Sequence, residues 1–336
     1  MIYYEKIEAL AKNLQDYRAN EFLNPKEENI DIWLNQFSTE NREVILDEMI
    51  NIANKLYLTE NEVDTFLKDL VNNVKLTNNN PIIFWQNVSL LNIQQNGNSQ
   101  NEMVQKFKQI IFDEIGINVA INDMTKNNFI YIDDILFTGN RLFQDIKNYF
   151  NNTTNRCRID IIYIGYYKQG QYYYSNQLKT NFTNIDFHFW RLLELENNTN
   201  CQNQSCILWP TEDIKGNLLV DTFLDNYKEN DQMIYRDLTQ SKGFYCIEHN
   251  VFTNEINRQI LEKEFTLAGL QIINKIGGFQ SGWKPLGFSP FKNLGFGSLV
   301  ISYRNCPNNA PLCLWWGDWN NNPVWYPLFQ RKTYST

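Results

Sequence analysis

Two adjacent carboxylates, Asp133 and Asp134, follow the apolar run Phe129-Ile130-Tyr131-Ile132 and precede Ile135-Leu136-Phe137-Thr138-Gly139-Asn140-Arg141. Physically, this is a buried strand that ends in two acids and turns through a short Thr-Gly loop into a helix. In open α/β sheets, ligands sit in the crevice at the carboxyl ends of strands. A glycine turn at a helix N-terminus leaves backbone N–H groups pointing outward, where a phosphate binds. Two neighbouring carboxylates accept hydrogen bonds from the vicinal hydroxyls of a ribose. A phosphate cradle beside a diol grip describes a ribose 5-phosphate site. Acidic pairs after strands also occur in metal sites, nucleoside hydrolases and signalling receivers. As a purely structural alternative, Asp133-Asp134 would be a strand-end turn that caps the next helix.

Other residue types offer less. Cys201-x4-Cys206 and Cys246-x2-His249 together supply four zinc ligands, but neither is a clean CxxC knuckle. Six cysteines in so long a chain do not make a disulfide scaffold, so reduced thiols are the expectation. Asn305-Cys306-Pro307 could place a thiol in a loop, yet His188 and His249 are the only imidazoles to activate it. Trp315, Trp316, Trp319 and Trp325 could stack a base, although such clusters more often fill a core. Gly295-Phe296-Gly297 lacks the further glycine that a dinucleotide fingerprint needs before its helix.

The elements that must position the acids alternate in type. Residues 1–75 read as helices: Ile7, Leu10, Ala11, Leu14 and Tyr17 share one face, as do Val44, Ile45, Met49, Ile52, Ala53 and Leu56. Leu76-Thr77-Asn78-Asn79-Asn80-Pro81 breaks the pattern. Beyond it come the apolar run Ile82–Trp85, a polar loop over Gln94–Gln100, a helix over about 102–114 and strands at 129–132, 159–167 and 185–190. A helix over 142–150 separates the first two of these strands, and 169–178 is ambiguous. Continuous apolar strands alternating with helices predict a doubly wound, mainly parallel α/β sheet over 76–235. Residues 236–336 predict an α+β extension: a long helix over 254–275, then short strands at 299–303 and 312–316.

Composition sets the limits. Of 336 residues, 43% are hydrophobic and 15% aromatic, which is enough apolar side chain for a sizeable core and excludes general disorder. The net charge of −8 disfavours a generic phosphate-backbone binder, so nucleic-acid binding is not indicated. No stretch approaches the roughly 20 apolar residues that span a bilayer, and the N-terminus lacks a signal-peptide pattern; no membrane and a cytoplasmic location are expected. About one residue in seven is Asn, so the Asn-x-Ser/Thr sequons arise by chance.

The strand, acid pair, Thr-Gly loop and helix together resemble the signature of the phosphoribosyltransferases. The resemblance implies that Asp133 and Asp134 grip the ribose hydroxyls of phosphoribosyl pyrophosphate, and that Phe137, Thr138, Gly139, Asn140 and Arg141 surround its 5′-phosphate. Phe137 stands where the family usually has a small residue, and Arg141 where it usually has Thr or Ser. A second loop for the pyrophosphate is implied after an earlier strand, and Gly97-Asn98-Ser99-Gln100 stands at that place. Mg²⁺ is implied as cofactor, held mainly by ligand oxygens and water, with no dedicated protein metal site.

Segments outside the motif resemble one branch, the phosphoribosyltransferase-like effectors of bacterial antiphage and other conflict systems. They are Ile32-Trp33-Leu34-Asn35-Gln36-Phe37, Pro285-Leu286-Gly287-Phe288, Leu294–Val300, Asn305–Asn309, Leu314-Trp315-Trp316 and Trp325–Arg331. That resemblance implies an effector that binds phosphoribosyl pyrophosphate or a nucleotide, with partners from a defence operon such as a reverse transcriptase or ATPase. Two alternatives remain open: a catalytically inactive nucleotide sensor or scaffold, and a nucleobase salvage enzyme. The terminal extensions count against the last.

Overall fold

A computed structural model of the protein describes residues 2–95, 99–151, 153–200, 202–227, 234–236, 251–277, 282–289, 293–320 and 324–331. In chain order its main elements are α1 (Tyr3–Asn13), α2 (Glu27–Leu34), α3 (Arg42–Leu56), β1 (Tyr57–Leu58), α4 (Glu60–Val71), α5 (Val74–Thr77) and α6 (Pro81–Gln86). There follow β2 (Val88–Leu91), α7 (Ser99–Ile115), β3 (Ala120–Ile121), β4 (Asn128–Leu136), α8 (Asn140–Phe150), β5 (Cys157–Tyr167), α9 (Lys168–Asn181) and β6 (Ile185–Leu195). The last are α10 (Leu218–Tyr227), α11 (Glu255–Ile276), β7 (Ile301–Ser302) and α12 (Leu312–Trp315). They form two compact units, Met1–Glu60 with Glu196–Lys332, and Asn61–Leu195. The sequence reading divides the chain differently, into three consecutive segments.

The unit Asn61–Leu195 carries the parallel sheet. Its strand order is β3-β2-β4-β5-β6, and every pairing is parallel. Its central strands β4 and β5 are buried on both faces, which explains why they read as continuous apolar runs. Phe129 and Tyr131 of β4 and Ile159, Ile161 and Tyr163 of β5 pack with Leu142, Ile146 and Phe150 of α8 and Leu178 of α9. The alternate residues Ile130, Ile132, Ile162 and Ile164 are fully buried on the opposite face. Each such side chain contributes about 1.5–3 kcal/mol by leaving water. The mixed α/β class and the doubly wound parallel sheet expected from the sequence are what the chain adopts.

Two segments left open by the sequence are resolved, and two expected strands are corrected. Ile82–Trp85 lies in helix α6, opened by Pro81 and capped by the Asn80 side chain, which accepts from the Ile83 N–H at 3.2 Å. The strand is the next segment, Val88–Leu91. The ambiguous stretch after residue 168 is helix α9. Residues 312–315 are a helical turn, and the strand expected over 299–303 shortens to Ile301–Ser302, paired with β1.

In the other unit, α11 is the central helix, packed against α3, α10 and α12. Asn254 caps its start by accepting from the Asn257 N–H at 2.9 Å, and Gly277 ends it at φ 66°. Trp33, Phe37, Phe265 and Trp325 form one aromatic cluster in this core. Fully buried Glu262 is held by Arg236 at 2.5 Å and Arg258 at 3.1 Å. The pairing offsets a desolvation cost that an isolated buried charge would carry unrelieved. Among the described residues, no helix is long and apolar enough to cross a membrane.

Candidate functional site

The order of the strands creates the site. From β2 the chain crosses through α7 to β3 on one side, and from β4 it crosses through α8 to β5 on the other. The direction of winding therefore reverses between β2 and β4, and a crevice opens there at the strands' carboxyl ends. Asp133 and Asp134 lie at this end of β4. The sequence reading ends the strand at these acids, whereas β4 continues past them to Leu136, with Ile135 opposite Gly165 and Leu136 opposite Tyr166 of β5.

The start of α7 meets the acid pair. Ser99 Oγ donates to Asp134 Oδ2 at 2.7 Å and lies 3.4 Å from Asp133 Oδ1. Gln94 Nε2 reaches Asp133 Oδ2 at 3.4 Å. The loop between β2 and α7 is anchored by Gln100, whose fully buried side chain accepts through Oε1 from the N–H groups of Ile93 and Gln94, both at 2.8 Å. Of the expected second loop, Ser99 is thus beside the carboxylates, while Gly97 and Asn98 lie outside the described residues. Sequence reasoning missed Gln94, and it placed Gln100 in the candidate loop without this anchoring role. Two glutamines bracketing a Gly-Asn-Ser turn were the available signal.

Beyond Leu136 the chain makes the turn Phe137-Thr138-Gly139 and enters α8 at Asn140. Gly139 sits at φ +84°, a left-handed conformation that other residues enter only with strain. The N-cap residue Gly139 has no side chain to cap α8, and the Asn140 N–H donates to Thr138 Oγ1 at 3.4 Å. Asn140 and Arg141 are both exposed there. Helix α9 braces the turn from behind. A Cβ on Gly170 would lie 2.3 Å from the Phe137 carbonyl oxygen, and one on Gly139 would lie 2.7 Å from the Tyr174 ring. Tyr174 also donates to Asn140 Oδ1 at 3.1 Å, and Phe137 stacks on Tyr167 with centroids 5.7 Å apart.

Beneath the acids is a buried polar chain. The Tyr131 hydroxyl donates to Asp145 Oδ2 at 3.0 Å and is hydrogen-bonded to Tyr163. Burial, then the charges of Asp133 and Asp145, push the Tyr163 hydroxyl well above its usual pKa, so it stays a neutral donor. Burial also raises Asp145, against the opposing pull of the Tyr131 hydrogen bond and Arg141.

The remaining candidates sort differently. Cys306 and Cys313 are fully buried, and burial pushes both thiols upward, so Cys306 is no nucleophile. Cys206 is disulfide-bonded, contrary to the expectation of reduced thiols. A sulfur so bonded does not ligate zinc as a thiolate, while Cys201, Cys246 and His249 lie outside the described residues. Among the described residues, no cluster of three or more His, Cys, Asp or Glu could hold a metal. Trp315 and Trp325 are buried, their indole N–H groups donating to Ala310 O and Cys313 O at 2.8 Å, so they are core. Gly297 has φ +70°, and a Cβ there would lie 2.1 Å from the Leu208 carbonyl oxygen. Its role is a close backbone crossing.

A doubly wound parallel sheet, with an acid pair at its switch point and a bare glycine turn into the following helix, places the chain among phosphoribosyltransferase-like proteins. More narrowly, the chain belongs to the PRTase-CE family, whose sequence profile matches residues 30–331. Comparison with curated proteins finds no match.

Proposed function

We propose that the crevice between β2 and β4 binds phosphoribosyl pyrophosphate with Mg²⁺. The observation that carries this reading is the 2.7 Å contact between Ser99 at the start of α7 and Asp134 near the end of β4. It joins the helix that would face the pyrophosphate to the acids that would face the ribose. Asp133 and Asp134 have lone pairs to accept from the two ribose hydroxyls. The first-turn amides of α8, with Arg141, would receive the 5′-phosphate at Gly139.

Two carboxylates and a hydroxyl are the hard oxygen donors that suit Mg²⁺, so Asp133, Asp134 and Ser99 are the residues that would hold it, directly or through water. Bound there, the ion would supply charge neutralisation to a departing pyrophosphate. The chain's own contribution is to fix the ribose, orient its C1 and present backbone donors to the phosphate oxygens. Displacement at C1 would then transfer ribose 5-phosphate to an acceptor. The resemblance to conflict-system effectors supports a role in bacterial antiphage defence, in the cytoplasm, alongside other proteins of the same operon.

A second reading is a nucleotide sensor without transfer activity. It is favoured by Phe137, a bulky ring stacked on Tyr167 within the phosphate turn. Isothermal titration with phosphoribosyl pyrophosphate, with and without Mg²⁺, followed by a pyrophosphate-release assay, separates the two. Removing one ribose-gripping carboxylate should cost about 1.5–3 kcal/mol, or roughly ten- to a hundredfold in binding. An Asp133→Asn, Asp134→Asn double variant that folds, binds as wild type and still protects cells from phage would overturn both readings.

A further inference from the structure

β6 is one edge of the sheet, β3 being the other. It pairs with β5 on one side and with no strand on the other among the described residues. A groove of about 560 Å³ runs along its first half, lined by Lys75, Asn78, Arg158, Gln171, Ser175, Lys179 and Phe187–Trp190. The alternation of a strand makes this lining informative. Phe187 and Phe189 lie on the face packed against α9, where Gln171, Ser175 and Lys179 also stand. His188 and Trp190 lie on the opposite face, with Arg158 and the α5 residues. Side chains from both faces of one strand can line a single groove only if the groove passes over that strand's free edge, where alternate N–H and C=O groups point outward.

The wall is rigid and its charge has one sign. Asp160, fully buried, accepts from Arg158 at 2.9 Å and from the Trp190 indole at 2.8 Å, which fixes both side chains. Among the described residues, no carboxylate lines the groove. Lys75 and Lys179, one on each side of the edge, are exposed and form no ion pair among the described residues. This is a local reversal of sign in a chain of net charge −8.

We propose that this edge docks an extended acidic peptide from a partner protein, which adds a sixth strand beside β6. A strand presents its own side chains alternately to the two faces. An acid facing Lys179 and an acid facing Lys75 must therefore stand an odd number of residues apart, with an apolar side chain against Phe187 and Phe189. Backbone pairing supplies affinity and the two lysines supply selectivity. A single-stranded oligonucleotide would also meet cations and aromatic rings, but it offers no backbone partner for the edge and cannot stack on both faces of one strand.

The test uses the full-length protein and a displayed library of random dodecapeptides. The expected winners are proline-poor and carry two acids at odd spacing. They should bind at least tenfold more weakly to a Lys75→Glu, Lys179→Glu variant and lose binding when alternate amides are N-methylated. They should also slow deuterium exchange at the Phe187–Trp190 amides. Both lysines are exposed, so the variant keeps its fold, which circular dichroism verifies. The proposal fails if no acidic peptide is enriched, since the lysines would then only guard the edge against pairing. It fails equally if the peptides bind the double variant unchanged or tolerate N-methylation. A dT20 oligonucleotide that binds through the lysines without slowing exchange in β6 would also overturn it.

Discussion

Gly170→Ala adds one methyl group behind the turn Phe137-Thr138-Gly139 and touches no polar side chain of the site. Its Cβ would stand 2.3 Å from the Phe137 carbonyl oxygen and 3.0 Å from the Thr138 backbone. Ordinary contact begins near 3.4 Å, so either the turn or α9 must move by roughly 1 Å. Both neighbours are backbone, and no side chain can rotate away to relieve the contact. Overpacking of this kind costs about 1–3 kcal/mol in stability. A turn displaced by about 1 Å also misaims the α8 amides, and misplacement on that scale costs up to about a hundredfold in function. The expected result is a lowered unfolding midpoint together with a ten- to hundredfold weaker affinity for phosphoribosyl pyrophosphate by titration calorimetry, or about 1.4–2.7 kcal/mol. Gly165→Ala is the control: on β5, its added Cβ would meet nothing closer than 3.8 Å, and both quantities should hardly change. If Gly170→Ala melts and binds as wild type does, α9 does not set the shape of the turn and the bracing argument is wrong.

Three further outcomes follow from other contacts. Ser99→Ala removes the 2.7 Å hydrogen bond that orients Asp134 and should weaken the same binding by roughly tenfold, with Ser99→Thr restoring it; equal affinities for all three would remove Ser99 from the site. Burial raises the Glu194 carboxyl, but hydrogen bonds from Tyr166 and Lys168, with Arg191 beside it, hold it below its usual pKa. A depressed carboxyl contributes stability above its unfolded value of 4.5 and loses that contribution as pH falls through the folded value. Tyr166→Phe should therefore flatten the acid limb of a denaturant-midpoint-against-pH curve, and an unchanged limb would contradict the assignment. Cys306 and Cys313 should resist iodoacetamide at pH 8 in the folded protein and label only on unfolding, as should Cys157, pushed up to about 11 by burial and the nearby Asp186 charge; mass spectrometry reads all three.

What the sequence disclosed, and what it withheld, divides along physical lines. The strand before Asp133-Asp134 was legible because a strand buried on both faces must be apolar at every position, and Phe129–Ile132 is. The turn was legible because only glycine enters the Gly139 conformation without strain. β2 was harder: at four residues it is too short for periodicity to speak, and the apolar run just before it belongs to a helix that Pro81 opens. The extent of β4 past the acids depends on pairing with β5, since Ile135 and Leu136 are strand only while Gly165 and Tyr166 lie opposite. The site itself was half legible. Residue types around Asp133 announced a diol and a phosphate, but the meeting of Ser99 with Asp134, 35 residues apart, follows from β2 lying beside β4. Strand order is a property of the whole sheet and leaves no mark in any local window. The same holds for the edge groove: Lys75, Arg158, Lys179 and Trp190 share no motif, and they converge because β6 is last in the order β3-β2-β4-β5-β6. Local chemistry thus wrote the carboxylates and the turn into the sequence, while topology decided which helix faces them and which strand stays open.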